Sequence, residues 1–394
     1  MTAVPPLARV PIDPLAPAAS KCTAVGPFLR SLLARWYWVI IAFAASRLLI
    51  YILYRLSRMI MVRGEHWERE ILGVLTQDGA ARYLEIAAQG YGRAKGGGPR
   101  LGIFPVYPKV VDFFSGIFGS EALAGVVISN VMLLAAGLLL WELVHFEFKS
   151  ARISRAAVAL LMFGPVSFFF SCAYPEAMFL VLVLGAFLAA VKGRWLIASL
   201  CGMVASATSV IGIFVLLPLL HLYLSARKSE RLEAGGSRKL AGLFLALVPL
   251  GFVGFVAFAE AQFGKSSGPY ENAEIWHSGF LFPWQLPAAL GNLPPFFSYF
   301  TAIVLGAAAL LWFSAFQFKM RPAYLIYSAL LIAVCACNSN LPALARVMSL
   351  AFPLYVSAAL VVDRFRWSYE LLLTASCTGL AFCTIMYANG HWAR

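Results

Sequence analysis

Long apolar runs recur along this chain, and they restrict it to one kind of fold. Residues 36–54, 122–146, 240–258, 296–318, 343–362 and 369–387 each read as a membrane crossing. A helix needs roughly 20 apolar residues to cross the hydrocarbon core, and only helices and closed barrels satisfy their backbone there. The runs are continuous rather than alternating, which selects helices over a barrel. Composition agrees: 61% of residues are hydrophobic and 12% charged, with a mean hydropathy of +0.80. A soluble domain carries about 25% charged residues. The fold class is an all-α polytopic membrane protein.

Three further stretches refine the pattern. Residues 156–171 and 176–191 form a tight pair joined at Tyr174-Pro175. Residues 195–224 are too long for one span and break near Ser206-Ala207-Thr208-Ser209, so two short passes fit better. Residues 101–118 are apolar but interrupted by Pro105 and Pro108, which suits an interfacial helix or a short re-entrant element. With residues 323–337, the expected total is about ten crossings. Residues 1–35 are rich in Pro and Ala, carry Arg9, Lys21, Arg30 and Arg35, and lack a small-residue cleavage site. They read as a disordered cytosolic tail ahead of a membrane domain over 36–394.

The net charge is +13. Lys and Arg gather in short loops as topology signals, so the excess implies no nucleic-acid partner. Placing Lys149–Arg155, Lys192/Arg194, Arg227–Lys239, Lys319/Arg321 and Arg364/Arg366 in the cytosol makes the spans alternate consistently. The long loop after the first span mixes both signs and need not obey the rule. Asp78, Tyr174, Glu176, Trp276, His277, Arg346 and His391 then all fall on the outer side, although they are scattered in sequence. The seven cysteines sit mostly in apolar runs, where buried thiols act as small hydrophobes, and the five histidines show no metal-ligand spacing.

Several outer-side residues could carry chemistry. Asp78 lies just outside the first span and could take a proton from an attacking hydroxyl; as the residue before Gly79 and a helical stretch, it could equally cap a helix. Arg82 is one helical turn on and could pair with it. Glu176 opens a span, where it could cap the helix or bind a sugar hydroxyl. Arg346 lies within the first turns of an apolar run; it could snorkel to the interface or hold a lipid-linked phosphate bidentately. Trp276, beside His277, could stack on a sugar face or belong to the interfacial aromatic belt.

The pattern Asp78…Tyr83…Ile86-Ala87-x-x-Gly90-Tyr91 resembles the first-loop signature of the PIG-V-type mannosyltransferases, integral-membrane enzymes of the GT-C fold. Phe104-Pro105-Val106-Tyr107-Pro108 is similar to their Phe-Pro-Leu-Tyr-Pro element. Pro165-Val166-Ser167-Phe168-Phe169-Phe170-Ser171-Cys172-Ala173-Tyr174-Pro175-Glu176 resembles their Pro-x-Ser-x-Phe-Phe-Ser-x-x-Tyr-x-Glu run, and Leu344-Ala345-Arg346…Phe352-Pro353-Leu354 their Pro-Arg-Tyr…Phe-Pro-Leu element. The four occur in the family's order. This chain departs from it in having Gln77 where the family has Trp, one extra residue between Asp78 and Tyr83, no Arg in the broken pair, and Val347 after Arg346.

The resemblance implies a GT-C-like bundle that moves a sugar, mannose in the family, from a polyprenyl-phosphate carrier to an acceptor hydroxyl on a glycan, glycolipid or protein. It implies Asp78 as base, Arg346 with Arg82 on the phosphate, and Tyr83, Tyr174, Glu176 and Trp276 around the sugar. A departing phosphate needs no proton, so one carboxylate suffices, unlike the two of glycosidases. No cofactor is called for; a divalent metal is compatible but not indicated. The membrane would be a bacterial plasma membrane, or that of the endoplasmic reticulum in a eukaryotic host. A transporter or lipid flippase without transferase activity is the alternative, since a broken helix pair and an arginine at a span end also suit one.

Overall fold

In a computed structural model, residues 25–61, 71–91, 102–228, 242–263, 281–338 and 344–392 are described. The chain divides into two compact units, residues 1–38 and 39–394. In the first, the described part is helical from Val25, so the segment expected as a disordered tail already contains helix. Apart from the start of the helix that runs on through Trp38, everything below concerns the second.

Among the described residues, six helices are long and apolar enough to cross a membrane: Trp36–Ile60, Glu121–Phe148, Val210–Lys228, Gly242–Phe263, Pro295–Gln317 and Ser368–Ala388. Glu176–Val191, Trp195–Thr208 and Pro322–Ala336 are shorter apolar helices. The break expected near residue 208 is present. One helix ends at Thr208, and a 3-10 turn over Val210–Val215 starts the next. Gly212 makes the break compact, since a Cβ there would collide with the Ala205 backbone.

Local chemistry explains the boundaries. Lys149 ends the helix Glu121–Phe148 in a left-handed conformation (φ 53°), and Ser150 then caps Ala151–Met162 by accepting from the Ile153 N–H at 3.3 Å. The stretch expected as one crossing over 343–362 is divided into Leu344–Met348 and Phe352–Arg364. Ser349 donates to the Arg346 carbonyl at 2.6 Å, and Pro353 has no N–H for a continuing helix. Arg346 therefore rides on a separate short turn, not on the crossing itself.

The helix Glu176–Val191 is the centre of the bundle. Ala177, Leu180, Val183, Leu184 and Phe187 are completely buried, and the Phe187 ring meets Tyr324, Tyr327 and Phe352 at centroid distances of 5.1–5.6 Å. A helix apolar on all sides must be packed on all sides. Its first residue, Glu176, is thereby fixed by the whole core.

Candidate active site

Glu176 sits in the first turn of that central helix, where the helix dipole favours a carboxylate. Arg346 meets it, with Nε 3.0 Å from Oε1; their side chains are only 18% and 9% exposed. The Arg346 guanidinium also lies over the Tyr174 ring, 4.7 Å from its centroid. A cation on an aromatic face in a dry setting is worth about 2 kcal/mol. The expected outer-side arginine and glutamate thus form one ion pair on a buried tyrosine.

Gly79, the residue after Asp78, meets the hydroxyl end of the same tyrosine. The Ala80 N–H donates to the Gln77 carbonyl at 3.2 Å, and Asp78 has φ 55° and ψ −129°. These are the dihedrals of the first central position of a type II′ turn, where glycine is normal. The glycine stands one residue later because a Cβ on Gly79 would lie 2.9 Å from the Tyr174 hydroxyl oxygen. The positive φ falls to an aspartate, a strain of order 1–3 kcal/mol of the kind that gathers at functional sites. Asp78 occupies the cap position of the helix Gly79–Gln89, but its side chain makes no capping hydrogen bond. It is exposed.

Four hydrogen bonds lock these pieces together. The Ala173 N–H donates to the Leu75 carbonyl at 2.9 Å, tying the run before Glu176 to the run before Asp78. Gln77 donates through Nε2 to the Tyr387 carbonyl at 2.8 Å, which anchors the turn to the last helix. Ser129 donates to the Tyr174 carbonyl at 3.2 Å and shares a 2.9 Å hydrogen bond with the Tyr107 hydroxyl. With Tyr83 meeting Tyr107 and Tyr174, and Arg346 meeting Glu176, all four sequence elements quoted above are in contact. Burial pushes the Tyr107 and Tyr91 hydroxyls well above the usual phenol range, so both stay protonated at neutral pH. Tyr91 donates to the Ile103 carbonyl at 2.6 Å.

A narrow cleft with a cavity volume of about 80 Å³ lies in front of the ion pair. Glu176, Arg346 and Tyr83 line it, with Thr208, Ser209 and Asn338 adding polar groups. Tyr83 meets Tyr107 and Tyr174 edge-on at 5.9 and 6.0 Å. Beside it runs a more apolar groove of about 800 Å³, lined by Tyr91, Pro108, Val204, Phe255 and Phe258. Phe104 and Thr208 line the cleft, and their chain neighbours Pro105 and Ala207 line the groove, so the two share a wall.

Of the residues singled out in sequence, Tyr83, Tyr174, Glu176 and Arg346 converge directly, and Asp78 joins them through Gly79. Asp78 and Arg82 are both exposed, and neither lines the cleft. Trp276 and His277 lie outside the described residues. Sequence reasoning missed Asn338, the Ser129 link to Tyr107, and the bond from Gln77 to Tyr387. None of these leaves a local signal, since each partner is remote in the chain. Among the described residues, no three His, Cys, Asp or Glu side chains gather as a metal site. The six described cysteines are free thiols.

Two crystal structures of ArnT from Cupriavidus metallidurans match this architecture. The undecaprenyl-phosphate-bound form has a TM-score of 0.52 and the apo form 0.50; each is 14% identical, with 91% of this chain and 77% of ArnT covered. The fold is that of the GT-C glycosyltransferases. Within this GT-C bundle, the Asp78 turn and the Glu176–Arg346 pair stand at one end. No family model matches the chain. Over 102 residues it is 30% identical to the GPI mannosyltransferase pigv-1 of Caenorhabditis elegans, an alignment spanning 22% of this chain and 15% of that protein.

Proposed function

We propose that this protein is an inverting membrane glycosyltransferase that takes a sugar, mannose in the reading the sequence favours, from a polyprenyl-phosphate carrier. Asp78 removes the proton from an acceptor hydroxyl, whose oxygen attacks the anomeric carbon as the bond to the carrier phosphate breaks. The leaving group is a phosphate already ionised at neutral pH, so no general acid is required. Arg346 stabilises its charge, and Glu176 holds that guanidinium in place while remaining at the edge of the cleft. Tyr83 and Tyr174 flank the sugar, and the apolar groove accommodates the isoprenoid chain.

The observation that carries this reading is the arrangement around Tyr174. One face supports the Arg346 guanidinium, and the hydroxyl end closes on the glycine next to Asp78. A phosphate-binding cation lining a cleft, a carboxylate next to the glycine that meets Tyr174, and an apolar groove alongside fit displacement from a lipid-linked donor. The ArnT fold with its bound undecaprenyl phosphate supports the carrier class, and the partial likeness to a GPI mannosyltransferase supports the sugar.

Purified protein supplied with radiolabelled polyprenyl-phosphate-mannose should release label to an acceptor or to water, and Asp78→Asn should slow the release about 100- to 10,000-fold. Release that survives Asp78→Asn at the wild-type rate removes Asp78 from the base role. Label that crosses vesicles without leaving its carrier establishes the transporter reading instead.

A further inference from the structure

Arg47 lies near the middle of the candidate span Trp36–Ile60. An arginine at the centre of a span costs about 2.5–3.5 kcal/mol on insertion scales. Its surroundings show what offsets that cost. The guanidinium donates to the Ser46 hydroxyl at 3.2 Å, the Ser167 carbonyl at 3.0 Å, the Ser171 hydroxyl at 2.7 Å, the Met162 carbonyl at 3.0 Å and the Ser167 hydroxyl at 2.7 Å. Those contacts match the five N–H donors of a guanidinium, and every acceptor is a neutral oxygen. No donor is left over for a substrate, so a ligand-binding role is excluded.

The acceptors bracket one segment. Met162 is the last residue of the helix Ala151–Met162, and its carbonyl has no partner in a continuing helix. Ser167 and Ser171 are the two ends of the 3-10 turn that follows. Ser171 passes the chain on, donating to Asn130 Oδ1 at 2.8 Å, and Asn130 donates to the Val126 carbonyl at 2.8 Å. The backbone then runs from Ser171 to Ala173, which binds Leu75 ahead of the Asp78 turn, and on to Tyr174 and Glu176. A 3-10 turn has poor internal hydrogen-bond geometry. Only an external fork ties both its ends.

We infer that Arg47 is a positioning residue: through the Ser167–Ser171 turn it sets both the Tyr174–Glu176 segment and the Asp78 turn, without touching substrate. The inference rests on the transferase reading for its consequence, but the clamp itself can be tested apart from it. Glutamine retains too few donors to tie both ends of the turn, and lysine offers three from a single point rather than a planar fork.

The first arm uses Cys172, which directly follows the turn and is completely buried, with Cys335, 2% exposed on another helix, as the internal reference. N-ethylmaleimide labelling in detergent, read by peptide mass spectrometry, should be about tenfold faster at Cys172 in Arg47→Gln than in wild type, with Cys335 unchanged. Ser167→Ala, which removes one acceptor only, should give a smaller rise of the same kind. Equal acceleration at both thiols in both variants means general packing, and protection of Cys172 in both means no clamp; either result overturns the inference.

The second arm is kinetic. Arg47→Gln should lower kcat about 100-fold, the size expected of a displacement near 1 Å, while KM for polyprenyl-phosphate-mannose changes less than about threefold. A raised KM with kcat intact contradicts the inference. A wild-type protein that transfers no sugar sinks the transferase reading, and the labelling arm alone then decides whether Arg47 holds the turn.

Discussion

Two arginine–carboxylate pairs stand at opposite ends of this bundle, and they are built for different ends. At one, Arg321 Nε lies 2.6 Å from Glu147 Oε2, and the Tyr324 hydroxyl donates to Oε1 at 3.0 Å. Both carboxylate oxygens are occupied, and neither charged residue lines the cleft or the groove. At the other end, Arg346 and Glu176 face the cleft, and their neighbour is the strained Asp78 turn. Gly125 of the helix Glu121–Phe148 packs beside Ala173, and Glu147 lies 22 residues further along the same helix, about 33 Å at 1.5 Å per residue. The first pair is a staple between helices. The second is an ion pair with space in front of it, where a charged group has room to meet a ligand.

That contrast can be broken by mutation. The largest effect should come from Asp78→Asn, which removes the base with little change in shape. Transfer should fall about 100- to 10,000-fold in a single-turnover assay, the range of general-base catalysis, with an unchanged thermal midpoint. A smaller loss, with a second symptom, is expected from Glu176→Gln. Leaving Arg346 without its counter-charge should cost about 3–5 kcal/mol of stability. It should also weaken transfer, whereas Glu147→Gln should lower the thermal midpoint and leave transfer per folded molecule intact. Equal losses of transfer from both variants would erase the distinction between the two pairs.

A third variant sharpens it. Asp78→Gly relieves the positive φ and should stabilise the fold by about 1 kcal/mol while abolishing transfer, a trade that no residue of the Glu147 staple should show. Differential scanning fluorimetry beside the transfer assay reads both. The smallest effect should come from Tyr174→Phe, which keeps the ring beneath Arg346 and removes only the hydroxyl over Gly79. A few-fold fall in transfer is expected, since the about 2 kcal/mol of cation–ring attraction survives.

Much of this was legible in the chain. Span-length apolar runs announced the helical bundle, and basic loops sorted Asp78, Glu176 and Arg346 to one side. The break after Thr208 was visible because a 30-residue apolar run with Ser and Thr at its middle does not suit one crossing. Other features were hidden for physical reasons. Asp78-Gly79 reads as an ordinary turn or cap, and the positive φ falls on the aspartate because Tyr174, far away in sequence, occupies the space a Cβ on Gly79 would need. The division of residues 343–362 depends on Ser349 taking the Arg346 carbonyl, which hydropathy does not register. The pairing of Arg346 with Glu176 was equally invisible, because each residue alone admits a bland role at a helix end.

The most direct test is a cryo-EM structure of the protein with polyprenyl phosphate bound. Phosphate density against the Arg346 guanidinium, with the isoprenoid chain in the groove beside Phe255 and the Asp78 carboxylate turned toward the cleft, is the predicted result. Phosphate held instead by the basic residues around Arg321, or a carrier lipid that leaves the cleft empty, would contradict the account.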